Sequence, residues 1–374
     1  MNQKGLILFC SLFLLSGCWD QSLLSETKLI SAGGIDYEND GKVISTVAVP
    51  QAIAAESGEE NVANQIFSTS GFTARQSRLK LDREVSERLD ASKNLVLVFG
   101  EKTAKKDIYL LLDVFYRDPK SSLNAKLAIT KGKASDVIST KFEETTSSIG
   151  VGEYLRDIIR SAEESATVPE ENIQSICPLL FDPGQDFALP YLVPRKDVVD
   201  VEGIALFSGH KMAGTITGPD AVIYVLLTGE KSTISMATTK KILKGQKENI
   251  LNYASIKIKK NKRDFKVNVS SDGKISAHID LKTKVVVTEY PSDKLGDEKV
   301  LKKLEKNLSR VMTKDATKII KQLQEMNSDP FGVGRKVMAF HYPTWKKIKW
   351  SEEYPKINFT ASVDVEIIGH GIIE

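Results

Sequence analysis

The chain has 374 residues, of which 41% are apolar and 27% are charged. This balance is typical of a folded globular protein and excludes a largely disordered chain, and the length predicts two or three domains. Lys and Arg number 52 against 49 Asp and Glu, which leaves a formal charge of +3 and gives no reason to expect nucleic acid as a partner.

The first 17 residues have the pattern of a lipoprotein signal peptide. A single cation, Lys4, precedes an apolar run from Gly5 to Leu15, and two small residues then lead to Cys18. The run is shorter than the ~20 apolar residues that span a bilayer, so a permanent transmembrane helix is the weaker alternative. We expect Cys18 to be the lipidated N-terminus of the mature chain. The alternative is an ordinary secretory signal in which this cysteine is incidental.

The three cysteines leave no intramolecular disulfide in the mature chain. Cys10 lies within the signal peptide and Cys18 would carry lipid, so only Cys177 remains as a thiol. Its neighbours are apolar, which favours a buried small side chain over a catalytic thiol. The mature chain must therefore be stabilised by its hydrophobic core.

Strand and helix patterns alternate through the first half of the chain, which predicts a mixed sheet covered by helices. Residues 55–64 are polar and predict a loop, while the apolar run at 95–99 predicts a strand buried on both faces. Strands are predicted at 28–37, 42–50, 95–99 and 123–130, and helices at 73–93, 105–117, 134–141 and 153–164.

A cluster of prolines predicts a connector between the two halves. Residues 177–194 hold four of the twelve prolines, and such a cluster is typical of a linker. We place a boundary near Lys196, so that residues 18–195 form a mixed-sheet N-terminal domain and residues 196–374 form the C-terminal region.

The C-terminal region predicts an antiparallel sheet packed on one long helix. Strand patterns occur at 199–207 and 221–228, and apolar and polar residues then alternate at 265–269, 274–290 and 357–367. Alternation of this kind indicates one buried and one solvated face. An apolar stripe at helical spacing predicts a helix over 297–327. The fold class that results is multi-domain α+β.

No constellation of residues predicts catalysis, a metal site or a cofactor. The four histidines, His210, His278, His341 and His370, lie far apart and have no partner at metal-ligand spacing. The chain also lacks a nucleophile elbow, a phosphate-binding loop and a dinucleotide fingerprint. We expect a protein that is not an enzyme.

Lysines are concentrated between residues 240 and 263, and Lys257, Lys259 and Lys260 lie close together within this stretch. A functional interpretation is contact with anionic lipid headgroups or an acidic partner, at about 1 kcal/mol per cation near such a surface. A solvated face of a strand or helix is the alternative, and it is the commoner role of such a run.

The most distinctive internal segment follows the predicted long helix. Asp329-Pro330 stops the helix, and two glycines then let the chain reverse toward Trp345 and Trp350. Phe331 and the two tryptophans either pack onto their own domain or form a partner-contact loop.

Four short motifs are distinctive along the chain: Cys18-Trp19-Asp20, Gly34-Ile35-Asp36, Arg117-Asp118-Pro119, and the segment from Asp329 to Gly334 that leads to Trp345 and Trp350. Together they resemble the Ger(x)C family, the lipoprotein C subunits of spore germinant receptors. The chain departs from the usual family pattern in two places, where it reads Phe99-Gly100-Glu101 and Lys120-Ser121-Ser122.

The resemblance implies a non-enzymatic protein that Cys18 anchors on the outer face of the inner spore membrane. Its implied partners are an A subunit and a permease-like B subunit, with which it responds to small nutrient germinants. The resemblance also implies three domains, with a further division near residue 245. A lipid-anchored solute-binding protein of a transporter is the alternative function, and an envelope hydrolase ranks below both.

Overall fold

The computed structural model describes residues 27–54, 60–140, 149–229, 233–243 and 248–371. The predicted signal peptide and Cys18 lie outside these residues. Within the described ranges, fourteen strands form three sheets. In chain order the strands are β1 (Thr27–Leu29), β2 (Ala32–Tyr37), β3 (Val43–Ala54), β4 (Glu60–Gly71), β5 (Arg88–Asp90), β6 (Val96–Gly100), β7 (Lys126–Thr130), β8 (Ala188–Pro194), β9 (Val199–Ser208), β10 (Lys211–Thr217), β11 (Thr233–Lys241), β12 (Tyr253–Val269), β13 (Ile275–Glu289) and β14 (Asn358–Gly369).

The helices pack on the faces of these sheets. Two short 3₁₀ turns, Ile250–Asn252 and Tyr354–Lys356, precede β12 and β14. The helices of the described chain are α1 (Ala74–Glu84), α2 (Glu101–Ala104), α3 (Tyr109–Arg117), α4 (Ala134–Ile138), α5 (Val151–Glu164), α6 (Ile173–Leu180), α7 (Pro219–Thr228), α8 (Glu298–Glu325), α9 (Val333–Phe340), α10 (Tyr342–Trp345) and α11 (Trp350–Glu353).

The largest sheet has eight strands in the order β10-β9-β8-β7-β6-β2-β3-β4. Its four central strands, β2, β6, β7 and β8, run parallel, and the outer strands on both sides are antiparallel. Alternate residues of β6 face opposite sides, so that Leu97 and Phe99 join one core cluster while Val96 and Val98 join another. This confirms the predicted mixed sheet and the predicted burial of its central strand on both faces.

The C-terminal sheet has the order β11-β12-β13-β14 and packs on α8. Its first three strands are antiparallel, as predicted, whereas β14 runs parallel to β13. Because α8 crosses the sheet between these two strands, the chain enters β14 in the same direction as β13. The 28-residue helix confirms the predicted helical stripe, and the α+β class is confirmed as a whole.

The run at 221–228 forms a helix and not the predicted strand. All seven residues from Ala221 to Leu227 are buried, and an apolar run without periodicity does not distinguish a buried helix from a buried strand. Only the residues that flank this run indicated a helix. Pro219 occupies the first turn, and Gly229 ends the helix with φ of 72°, as expected for these residues at helix ends.

The predicted proline connector is also wrong. Cys177 and Pro178 lie within α6, and Pro190 and Pro194 lie within β8. Cys177 is half-buried. β8 pairs with β7 through only two residue pairs, so the missing N–H group of Pro190 costs little hydrogen bonding there.

Two further differences lie near the N-terminus. α1 is about half as long as the predicted helix at 73–93, because the chain turns after Glu84 to form β5. Residues 60–64 of the predicted loop belong to β4, which pairs along the whole length of β3, and residues 55–59 are outside the described chain.

Strand pairing crosses both predicted domain boundaries. β8 and β9 pair across residue 196, and β11 and β12 pair across residue 245. Whether the parts on either side fold separately stays a prediction.

Candidate functional site

The motif Gly34-Ile35-Asp36 attaches β2 to the start of α4. Asp36 is only 4% exposed, and its two carboxylate oxygens accept hydrogen bonds from the backbone N–H groups of Ala134 (2.8 Å) and Ser135 (2.9 Å). A carboxylate is favourable at a helix N-terminus, where these N–H groups have no partner within the helix. A Cβ atom on Gly100 would lie 2.2 Å from Asp36 Oδ1, so the sequence Phe99-Gly100-Glu101 leaves the space that this contact needs.

The motif Arg117-Asp118-Pro119 ends α3 and fixes the loop that follows. The Asp118 carboxylate accepts a hydrogen bond from Arg75 on α1 at 2.8 Å and another from the Lys120 backbone at 3.0 Å. These hydrogen bonds, the first from Arg75, hold the pKa of Asp118 below its usual range. Arg117 pairs within its own helix with Asp113. The motif therefore connects α1 with the loop after α3.

The motif at Asp329 lies in a junction between the two halves of the chain. Asp329 is 1% exposed, and its carboxylate accepts hydrogen bonds from the backbone N–H groups of Val333 (3.0 Å) and Gly334 (2.8 Å). Its own N–H group donates to Asp186, just before β8, at 2.7 Å. Burial raises the pKa of Asp329 to about 7, although the bonds from Gly334 and Val333 oppose this shift. Burial also raises the pKa of Asp186.

Close backbone contacts complete this junction. The Arg335 N–H group donates to the Gly184 carbonyl at 2.7 Å, and Arg335 Nε lies 2.8 Å from Asp182, whose side chain is only 7% exposed. A Cβ atom on Gly184 would lie 2.5 Å from the Arg335 nitrogen, and one on Gly334 would lie 2.6 Å from the Trp350 ring. The loop before β8 and the start of α9 can approach this closely only because both positions are glycine.

The predicted aromatic loop packs largely on its own domain. Phe331 is 6% exposed, with its ring centre 5.8 Å from that of Tyr224 and 6.1 Å from that of Phe359. Trp345 and Trp350 are half-buried, with ring centres 5.8 Å apart. The burial of Phe331 favours the self-packing alternative, because this side chain is not accessible to a partner in the folded chain. A partner contact through the two tryptophans stays a prediction.

The predicted lysines lie on β12. Lys257 is half-buried, while Lys259 and Lys260 are exposed. On the adjoining strand, β13, Lys284 lies directly opposite Lys260 and Lys282 lies opposite Lys262. Like charges in this position are unfavourable for pairing of the strands. We call the exposed side chains Lys260, Lys262, Lys282 and Lys284 the lysine face.

One lysine of this face, Lys284, and one lysine outside it, Lys240, have structural partners. Lys284 pairs with Glu366 on β14 at 2.9 Å. Lys240, at the other end of the predicted basic stretch, is 4% exposed and pairs with Asp315 on α8 at 2.8 Å. Lys244 and Lys247 lie outside the described residues.

Two of the four histidines, His210 and His278, have polar partners within the fold. His210 contacts Asp107 at 3.1 Å and the Leu180 carbonyl at 2.8 Å, and His278 contacts the hydroxyl groups of Thr360 and Ser362. Within the described residues no three His, Cys, Asp or Glu side chains are grouped so that they could bind a metal ion. None of the helices in that part of the chain combines the length and hydrophobicity needed to cross a bilayer.

Comparison with known proteins gives matches over nearly the whole chain. Residues 20–194 match the family described as spore germination protein N-terminal domain, and residues 202–371 match the family described as spore germination B3/GerAC like, C-terminal. The class of protein is therefore a spore germination protein with both of these parts. The chain belongs to the Ger(x)C family, as its motifs had indicated.

Individual relatives support this assignment. The spore germination protein GerQC of Bacillus cereus is 27% identical over 376 residues, which cover 100% of both chains. The spore germination protein B3 of Bacillus subtilis (strain 168) is 23% identical and is matched over 98% of its length and 99% of this chain. The crystal structure of the GerBC protein shares the fold, with a TM-score of 0.54 and 19% identity over 90% of this chain and 96% of that one.

Proposed function

We propose that the protein is the non-enzymatic, lipid-anchored C subunit of a spore germinant receptor. The observation that carries this proposal is that the first family region begins at residue 20, just after Cys18, and the second ends at residue 371, close to the C-terminus. In this proposal the lipid on Cys18 anchors the folded body to the outer face of the inner spore membrane. Two acyl chains give stable attachment where one gives only reversible binding.

The anchor is tested by replacing Cys18 in the spore. We expect Cys18→Ala to remove the protein from the membrane fraction and to abolish germination through one receptor. Cys177→Ala is the matched control, since it removes the other cysteine of the mature chain and should leave germination unchanged. Normal germination of Cys18→Ala spores with every nutrient would contradict the proposal.

The proposed partners are the membrane-embedded A and B subunits. They should co-purify with this chain from spore inner membranes that have been crosslinked before solubilisation. The same experiment with Cys18→Ala should recover little of either subunit. Recovery of neither subunit with the native chain would argue against membership of a receptor complex and would favour a separate role, such as solute binding for a transporter.

We further propose that the lysine face contacts the anionic headgroups of the membrane. Two opposed lysine pairs lie on neighbouring strands, and Glu366 offsets the charge of one member, Lys284. An anionic surface would offset the repulsion that remains. Lys260→Glu combined with Lys262→Glu should reduce binding of the full chain to vesicles that contain phosphatidylglycerol. Lys318→Glu on α8, outside this face, is the control. If the double variant bound vesicles normally but no longer co-purified with the partner subunits, the lysine face would instead contact an acidic surface of a partner protein.

A further inference from the structure

The corner between α9 and α10 exposes two neighbouring aromatic side chains. Phe340, the last residue of α9, is 77% exposed, and Tyr342, the first residue of α10, is 52% exposed. Ala339 and Pro343 beside them are exposed as well. Single apolar side chains are common on protein surfaces, but two large rings at one corner form a small apolar patch. We call Phe340 and Tyr342 the aromatic corner.

The aromatic corner lies in a segment whose charged side chains are all positive. Residues 330–350 contain five cations and no Asp or Glu. Lys346 and Lys347 are exposed, and the Lys346 ammonium group lies 5.0 Å from the centre of the Tyr342 ring. Lys349 pairs with Glu352 at 2.7 Å, whereas no carboxylate of the described chain forms an ion pair with Lys346 or Lys347. The corner therefore combines an apolar tip with two unpaired cations beside it.

The opposite side of this segment is fixed to the C-terminal core. Trp345, Ile348 and Trp350 pack against the buried side chains of that core, and the lysines between them are exposed. α9 is attached as well, because Lys336 donates a hydrogen bond to the Phe265 carbonyl of β12 at 3.1 Å. The aromatic corner is thus held in place beside the strand that supplies half of the lysine face.

The backbone of the corner makes its own hydrogen bonds. The N–H groups of Thr344 and Trp345 both donate to the His341 carbonyl, at 2.9 and 3.1 Å. The His341 N–H group donates to the Val337 carbonyl at 2.8 Å, and Pro343 has no N–H group. An unpaired N–H group is costly to move out of water, and the corner avoids this cost for these residues.

We propose that the aromatic corner inserts into the anionic membrane to which the chain is anchored. Phe340 and Tyr342 lie at the boundary between headgroups and acyl chains, and Lys346 and Lys347 contact the lipid phosphates. Aromatic rings beside lysines are favoured at this depth, because the rings leave water while the ammonium groups keep polar partners. The inference rests on the proposed function, since that function places the chain at a membrane.

The first test measures whether the corner enters a bilayer. The lipid-bearing full chain carries Cys177→Ala, so that no other thiol remains, and Phe340→Cys is labelled with a fluorophore that brightens in apolar surroundings. We expect a several-fold rise in fluorescence on vesicles that contain phosphatidylglycerol and a smaller rise on phosphatidylcholine alone. Phe72→Cys is the matched control, because Phe72 is 70% exposed in the N-terminal half and its label should stay in water. An unchanged signal from Phe340→Cys, or an equal rise from Phe72→Cys, would overturn the proposal.

The same vesicles distinguish this inference from the proposed lipid anchor. Without a lipid on Cys18 the chain would not float with neutral phosphatidylcholine vesicles, and the label would still report the corner on phosphatidylglycerol vesicles. Without insertion of the corner the chain would float with both kinds of vesicle, but its label would not respond.

The second test removes the rings and keeps the charges. Phe340→Ser combined with Tyr342→Ser is placed in the mature chain that carries Cys18→Ala, which can bind vesicles only through its own surface. We expect at least about tenfold weaker binding to phosphatidylglycerol vesicles, because two apolar side chains no longer leave water. Phe72→Ser should bind as the parent does, and thermal unfolding shows that each variant is folded. Unaltered vesicle binding by the folded double variant would contradict insertion, and lost co-purification of the partner subunits in that case would assign the corner to a protein contact.

Discussion

Asp329 and Asp82 are both aspartates with polar partners, but the burial of their side chains differs. Asp329 is completely enclosed, and both of its oxygens accept backbone hydrogen bonds. The Asp82 side chain is 32% exposed, and its carboxylate lies 3.5 Å from the Arg78 guanidinium on the same helix. The first carboxylate depends on the fold for its partners, whereas the second is accessible to solvent.

This difference separates a buried structural carboxylate from a partly exposed one. The signature around Asp329 joins the loop before β8 to the start of α9, so we expect its loss to affect folding. The pair of Asp82 and Arg78 contributes little, and we expect its loss to have little effect on folding. Four predictions test this comparison, from the largest expected effect to the smallest.

Asp329→Ala should destabilise the protein by roughly 3–5 kcal/mol, because it removes the acceptor of two buried backbone N–H groups. Urea unfolding followed by tryptophan fluorescence measures the change. Asp364→Ala on the exposed face of β14 is the control and should stay within about 0.5 kcal/mol of the native protein. A small effect of Asp329→Ala would show that the junction does not depend on this carboxylate.

The raised pKa of Asp329 predicts that stability declines as the pH rises toward neutrality. Between about pH 4, where the unfolded carboxyl loses its proton, and about pH 7, where the folded one does, the folded state binds more protons. Stability therefore falls across this window, by up to about 1.4 kcal/mol per pH unit, and the contribution of Asp329 is constant above it. Asp186, whose pKa burial also raises, acts in the same direction.

Asp329→Asn isolates this contribution, because Asp186 remains in both proteins. The thermal midpoint of the native protein minus that of the variant should decrease as the pH rises from 5 to 8. An equal difference at every pH would show that Asp329 is already ionised in the folded protein at pH 5.

Gly334→Ala should cost about 1–3 kcal/mol, since its Cβ atom would lie 2.6 Å from the Trp350 ring and the packed indole cannot move freely. Gly369→Ala provides the comparison, because the nearest atom to its Cβ is a Val286 methyl at 3.7 Å. Both variants are measured by thermal unfolding. Similar midpoints for the two would mean that Trp350 rearranges without cost.

The sequence predicted those elements whose pattern is local. The helical stripe at 297–327 became α8, and the apolar run at 95–99 became β6, because burial of one face or of both leaves a direct periodic signal. The run at 221–228 has no such signal, and only its flanking Pro219 and Gly229 identified a helix. Alternation in the last strand predicted which side is buried but not its direction beside β13.

The environments of the candidate residues were less accessible from the sequence. Asp329 was recognised as part of a motif, but its contact with Asp186 joins residues 143 positions apart. A cavity beside α1 likewise combines β2 and β3 with α1, β5 and the loop after α3. Such juxtapositions depend on the topology of the sheet, which the local patterns leave open. The lipidation of Cys18 rests on sequence alone, because this residue lies outside the described chain.

Asp82→Asn should change the stability of the protein by no more than about 0.5 kcal/mol. Its 3.5 Å pair with Arg78 is of the i,i+4 type, which contributes ~0.3–0.5 kcal/mol in helices. Thermal unfolding of the native protein and of the variant measures the change. A loss of several kcal/mol in Asp82→Asn would instead make Asp82 a structural carboxylate like Asp329.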